Sequence, residues 1–284
     1  MESFRQHSHL NKGPIGTHQS NTNSANSQST ALSSTLRGAK KQTFKAVEKN
    51  KWRTLRRILR SRFGRQLCIE REASGLTLLA ACAGFNAPVD ILQLISSLDP
   101  TQSLAQDDYG AVALHIACLN GSENSVIEFL VQSEPRAVLV ADIDNRIPLH
   151  HALECLCQRD VDLETGKANI MTLYNSDTST INFADKNGDT PVDLVQVARN
   201  FEYGKYQTSS KDSMATLISE NLAFLEEIYE FVSSMAILEY KRKRKLWEGP
   251  SKTLHGALSF PTSSTSSSPQ DSEEGMDDDV LMME

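Results

Sequence analysis

The chain has 284 residues, 39% of them apolar and only 6% aromatic, with a formal net charge of −7. That apolar content is too thin for one globular core over the whole length, and no run of about 18 apolar residues offers a membrane span. The first residues, "MESFRQHSHLNKG", carry no apolar stretch behind their charges, so no signal peptide is expected. Five cysteines, an odd number set in apolar, helix-like contexts, point away from a disulfide framework and toward reduced thiols in the cytoplasm or nucleus.

In chain order, residues 1–36 come first as a polar segment. Between Thr17 and Thr35, 15 of 19 residues are Ser, Thr, Asn or Gln, too little apolar surface to offset the entropy of ordering, and disorder is expected. Arg37 to Arg65 then carries twelve bases against the single acid Glu48. Within it, "AVEKNKWRTLRRIL" has Leu55, Ile58 and Leu59 on an inward face. Lys49, Arg53, Arg56, Arg57 and Arg60 form a basic ridge opposite.

From Gly75 onward the chain repeats itself. "GLTLLAACAGFNAPVDILQLI" aligns with "GAVALHIACLNGSENSVIEFL" at a shift of 35 residues, placing Gly75 on Gly110, Leu79 on Leu114 and Ile91 on Val126. A second shift of 35 places Gly110, Leu114, His115 and Ala117 on Asn145, Leu149, His150 and Ala152. A fourth copy opens at "NGDTPVDL" after 43 residues. In each copy a residue suited to positive φ (Gly75, Gly110, Asn145, Gly188) precedes a short helix rich in small residues. A break at Asn86 or Gly121 follows, then a second helix with apolar residues three and four apart. One such pair cannot cover its own apolar face, so copies must stack. An acid five residues ahead of the helix start also recurs: Glu72, Asp107, Asp142 and Asp185. The eight extra residues of the third copy are expected in a lengthened loop around Gln158 to Gly166.

After residue 200, the stripe Met214, Leu217, Ile218, Leu222, Leu225, Ile228, Val232 and Met235 predicts a long helix that covers the last copy. It runs into "KRKRK", Lys241, Arg242, Lys243, Arg244 and Lys245, which suits a helix C-terminus and equally a nuclear import signal. Residues 249–284 are Ser/Pro-rich and then acidic, with seven acids and no base from Asp271; disorder is expected here too.

The starts "LTLLAAC", "AVALHIAC", "RIPLHHAL" and "DTPVDL" resemble the ankyrin repeat, whose pattern is G-x-T-P-L-H-x-A-A. The resemblance covers about Thr43 to Asn200 and no copy is complete. It implies an all-α fold: a short ankyrin-type solenoid of about four repeats with a basic N-terminal cap helix, a long C-terminal helix and disordered termini. The expected divisions are 1–36, 37–200 for the array, 201–248 for the C-terminal helix and 249–284. The resemblance makes Gly75, Gly110, His115, Asn145, His150, Gly188, Thr190 and Pro191 structural. It implies recognition of a protein partner through hairpin tips and the concave helix face. The tip residues are Glu72, Ser74, Leu76, Asp108, Tyr109, Ala111, Asp144, Arg146, Lys186, Asn187 and Asp189. Tyr109 and Arg146 are expected to carry most binding energy, because aromatic residues and Arg dominate interface hot spots.

The densest chemistry lies in "IPLHHALECLC", yet its spacing serves a helix better than a metal. Cys155 and Cys157 would point about 160–200° apart on a helix, and no zinc-type spacing appears. No phosphate loop or nucleophile elbow is present. The expectation is therefore a non-catalytic adaptor with no cofactor and no metal, cytoplasmic or nuclear, without membrane association. The alternative is a nucleic-acid-associated regulator that uses the basic 37–65 region, masked by the acidic tail.

Overall fold

The computed structural model describes residues 27–208 and 212–247, with side-chain surroundings over 38–205 and 216–247. The expectations for residues 1–26 and 248–284, the acidic tail among them, lie outside the described residues. Contacts divide the chain into a unit ending at Lys243 and a second beginning at Arg244. Of the second, only Arg244 to Trp247 are described, an exposed helical turn.

The described residues are all-helical, without a strand. Eleven α-helices follow in order: α1 Ser27–Glu48, α2 Trp52–Leu59, α3 Gly64–Ile69, α4 Leu78–Gly84, α5 Val89–Leu98, α6 Ala113–Leu119, α7 Asn124–Ser133, α8 Pro148–Cys157, α9 Leu163–Ser176, α10 Pro191–Thr208 and α11 Asp212–Trp247. Three 3₁₀ turns, Pro100–Ser103, Pro135–Leu139 and Thr178–Asn182, follow α5, α7 and α9. The first two begin at a proline, which pre-sets φ for a tight turn and lacks the N–H that a helix start would leave unpaired.

Two rows of helices result. In one, α1, α4, α6, α8 and α10 pack in sequence; in the other, α2, α5, α7 and α9 do. Within the first row α4 and α6 are short and rich in small residues, so backbones approach closely: Ala80, Ala81, Cys82 and Ala83 of α4 and Ala113, Ala117 and Cys118 of α6 are all buried. Leu79, Leu114 and Leu149 recur at the 35-residue interval and are at most 1% exposed. Burying a side chain of this size stabilises by about 1.5–3 kcal/mol.

Helix α11 contacts α9 and α10 through side chains. Arg159 covers Phe224, and Lys167 of α9 bonds Glu227 at 2.6 Å and covers Phe231. The Tyr174 hydroxyl donates to the Met235 carbonyl at 3.2 Å. Arg199 of α10 meets Glu226 and stacks on Tyr229. The expected covering helix thus meets α9 and α10 through long side chains.

Several boundaries shift. Helix α1 begins at Ser27, inside the segment expected to be disordered, and the division at residue 200 falls within α10. The third copy's insertion does not form a long loop. Helix α8 has 10 residues against 7 in α6, and α9 has 14 against 10 in α7, so most of the extra length is helical. Asp162 makes this possible, because its side chain accepts the Thr165 N–H and caps the longer α9.

Candidate functional site

Four hairpin-shaped loops precede α4, α6, α8 and α10. The residue at the fourth position of each, Gly75, Gly110, Asn145 and Gly188, has φ of 76°, 76°, 56° and 89°. At Gly110 a side chain is disfavoured twice, by the positive φ and because its Cβ would come within 3.1 Å of the Ile143 nitrogen of the next hairpin. Each loop closes on itself, as when Asp107 N–H donates to the Ala111 carbonyl and Asp142 N–H to that of Arg146.

The recurring acid explains the loops' shape. One carboxylate oxygen of Asp107 accepts the N–H groups of Tyr109 and Ala111, each at 2.9 Å. Asp142 does the same for Asp144 and Arg146, and Asp185 for Asn187 and Asp189. These are Asx-turn bonds, which stabilise a backbone reversal locally. Adjacent tips are then joined backbone to backbone: Asp108 N–H to the Ser74 carbonyl, Ile143 N–H to Tyr109, and Lys186 N–H to Asp144, at 2.8 to 3.0 Å.

Of the residues expected at this edge, Asp108, Asp144, Lys186 and Asn187 are exposed, with Lys186 paired to Asp144 at 3.3 Å. Glu72, Ser74, Tyr109, Ala111 and Asp189 are half-buried. Leu76 is buried and belongs to the core, because its position turns inward ahead of α4. Arg146 is held internally, by Glu154 at 2.9 Å and Asp185 at 3.6 Å. It stiffens the edge rather than standing out from it. The residue that the sequence reading passed over is Ile143, 62% exposed at the tip between Tyr109 and Asp144. Its signal was available: it aligns with Ala73 and Asp108, positions outside the apolar register.

Behind the tips lies the histidine cluster. His115 Nδ1 accepts the Val112 N–H at 3.2 Å, so Nε2 carries the ring proton and donates to the Arg146 carbonyl at 3.0 Å. His150 Nδ1 likewise accepts the Ile147 N–H, while its Nε2 faces Asp189 without reaching bonding distance. His151 Nε2 meets Asp142 at 2.8 Å, and the His115 and His151 rings stand edge to face 5.5 Å apart. Burial first, then His151, pushes the His115 pKa down to about 4, leaving it neutral at pH 7. Burial opposes ionisation of Asp142, but the bonds from His151, Arg146 and Asp144 outweigh it and hold its pKa at about 2.

Ligand atoms of His115, Asp142 and His151 lie within 4.8 Å of one another. A metal on His115 Nε2 would force the proton onto Nδ1, against the Val112 N–H. The cluster therefore fits a hydrogen-bond lattice better than a coordination sphere. His151 and Cys155 do not converge either, since Cys155 packs its sulfur against Gly121. Burial pushes the thiols up, Cys68 to about 11 and Cys155 and Cys157 to about 12, so these are not thiolate nucleophiles at neutral pH.

The remaining candidates lie elsewhere. Lys49, Arg53, Arg57 and Arg60 are exposed at the α1–α2 end, and Arg56 is paired with Asp90. Lys241 to Lys245 lie on α11 and are exposed; Arg242 and Lys243 are drawn to the fully buried Glu239 carboxylate. In the fourth copy Thr190 donates from both its amide and its hydroxyl to Asp193, and Pro191 is the first residue of α10. No helix among the described residues is long and apolar enough to cross a membrane. No protein-family model matches the chain, and neither does a curated protein.

Proposed function

We propose that the chain is an ankyrin-repeat protein that binds another protein through the hairpin-tip edge and has no catalytic role. The observation that carries this reading is the row of tips, braced by Asp107, Asp142 and Asp185 and joined by three backbone bonds. A pre-ordered edge loses little entropy on binding, the main saving available to a recognition surface. On it, exposed Ile143 stands between acidic and basic neighbours, an apolar anchor within a polar rim. Paired helices at a 35-residue interval, short small-residue helices in the first row and positive φ at the hairpin closure are features that an ankyrin array would have. The protonated thiols and the committed tautomer of His115 support the non-catalytic part of the reading.

Because the first-row helices α4 and α6 are almost wholly buried, the tips offer more usable surface than the concave helix face. Tyr109 and Ile143 replace Tyr109 and Arg146 as the residues to test. A nuclear or cytoplasmic setting fits the buried, reduced cysteines and the exposed basic run of α11.

The test is affinity capture from native lysate with the full chain, with and without nuclease, against the double variant Tyr109→Ala/Ile143→Glu. A protein retained after nuclease and lost with the variant supports the reading. Capture that is indifferent to the variant rejects the tip edge as the binding surface.

A further inference from the structure

Asn50, at φ 51°, folds α2 back beside α1. This places two basic segments on the walls of one groove of about 540 Å³. Lys41, Lys45 and Lys49 stand four residues apart along the α1 side, about 6 Å per step at helical rise. Lys51 and Thr54 face them from the α2 side, and Gly38, Gln42 and Ala46 complete the lining. No acid lines this groove among the described residues.

The neighbouring groove, on the other side of α1, is a built-in contrast. It is of similar size, about 620 Å³, but Glu48 and Glu72 sit in it with Lys40, Lys41 and Lys45. Lys40 is paired with Glu70 at 3.4 Å, and on α2 Arg56 is paired with Asp90. Among the described residues, Lys41, Lys45, Lys49 and Lys51 have no such ion pair. Lys40 and Arg56, turned toward the body, are neutralised; Lys49 and Lys51 border only the first groove, and Lys41 and Lys45 border both without an ion pair to either glutamate. A favourable helix C-terminus accounts for Lys45 and Lys49, but not for Lys41 or Lys51. Helix α2 also opens onto this groove without a side-chain cap or an acid in its first turn, which leaves its N–H groups available to an anion.

We propose that this four-lysine groove binds a compact anion carrying several clustered phosphates. Four like charges around one cavity repel each other, and a multivalent anion relieves that repulsion at each of them. Ammonium groups recognise phosphate as point charges and need no planar fork. Among the described residues the groove has no aromatic side chain on which a base could stack, which separates it from single-strand nucleic-acid grooves. Its cations converge on one cavity instead of tracking an extended backbone, which favours a small polyphosphate over a duplex.

The test is calorimetric titration of the full chain with inorganic tripolyphosphate at low salt, where screening is weak. Two double variants remove equal charge: Lys45→Gln/Lys49→Gln in the groove and Arg57→Gln/Arg60→Gln on the outer ridge of α2. All four positions are exposed, and unchanged melting temperatures would show that the fold is intact. The groove variant should bind at least tenfold more weakly, the ridge variant within about twofold of wild type, and Lys45→Arg/Lys49→Arg should retain binding. No binding by wild type, or equal losses in both variants, overturns the proposal. So does a 20-base-pair duplex that binds more tightly than tripolyphosphate and needs ridge and groove equally, which would make the whole basic end a nucleic-acid surface.

Discussion

The turn into α6 and the turn into α4 reach the same backbone shape with different side chains. At the interior turn an imidazole does two jobs: His115 accepts the Val112 N–H and reaches across to the Arg146 carbonyl of the next hairpin. At the first turn the equivalent position is Ala80, too small for either. Thr77 instead accepts the Ala80 N–H, and Gln102 bridges the Leu79 N–H and the Cys68 carbonyl, each at 2.9 Å. The last turn closes with Thr190 and Asp193. His115 couples neighbouring copies and Gln102 ties the first copy to α3, whereas the Thr190–Asp193 pair closes within its own copy. What stays constant is the positive-φ residue, with a buried leucine in the first three copies and a half-buried Val192 in the fourth; the polar brace changes from copy to copy.

The sharpest way to break this comparison is through the shared core. Leu79→Ala and Leu114→Ala remove register-equivalent, fully buried side chains. Each should cost about 2–5 kcal/mol, and the two values should agree within about 1 kcal/mol in urea unfolding. A far smaller cost at Leu79 would mean that the first copy is only loosely docked.

Acid should separate the two turns next. The His115 pKa lies at about 4 in the fold against 6.5 for the free group. Between those values the unfolded chain binds a proton that the folded chain does not, so stability falls as pH drops from 6.5 to 4. At 1.36 kcal/mol per unit this reaches about 3 kcal/mol, and the lowered His150 pKa adds in the same direction. Asp142 acts lower: its depressed pKa contributes stability above about pH 4 that is lost as pH falls toward 2. Unfolding free energies from pH 7 to 4 should show this slope, and His115→Gln should flatten it while Gln102→Leu leaves it intact. An unchanged slope in His115→Gln would assign the acid sensitivity elsewhere.

Gln102→Leu itself should cost about 1–3 kcal/mol, since it strands the buried Leu79 N–H and Cys68 carbonyl. A neutral result would show that solvent or another group meets them. The smallest expected effect is a gain. Glu72 occupies the place of Asp107, Asp142 and Asp185, but has no side-chain hydrogen bond among the described residues, and burial and Glu48 raise its pKa. Glu72→Asp restores the shorter side chain that those turns use and should stabilise by up to about 1 kcal/mol in the same assay.

Much of this was legible in the sequence because repetition reports tertiary structure. The 35-residue shift placed the paired helices, and Gly75, Gly110, Asn145 and Gly188 marked the hairpin closures through their tolerance of positive φ. The rest was hidden for particular reasons. Gln102 acts on Cys68, 34 residues away, and nothing local marks it. Arg146 read as a free hot spot because its partners Glu154 and Asp185 come together only when α8 and the fourth hairpin pack. Ile143 was passed over since an apolar residue inside a polar turn invites no attention until its exposure is known. The third copy's insertion read as loop because the added helical turns of α8 and α9 carry no repeat partner to align with.

The central claim is that the tip edge is ordered before any partner arrives. Amide hydrogen exchange of the free full chain tests it most directly, at Asp108, Ile143 and Lys186, whose N–H groups join adjacent tips. The account predicts that these three exchange far more slowly than unstructured peptide and are protected to a similar degree, because each opens only when a tip-to-tip bond breaks. Exchange at unstructured-peptide rates would contradict it and leave the hairpins as independent, flexible loops.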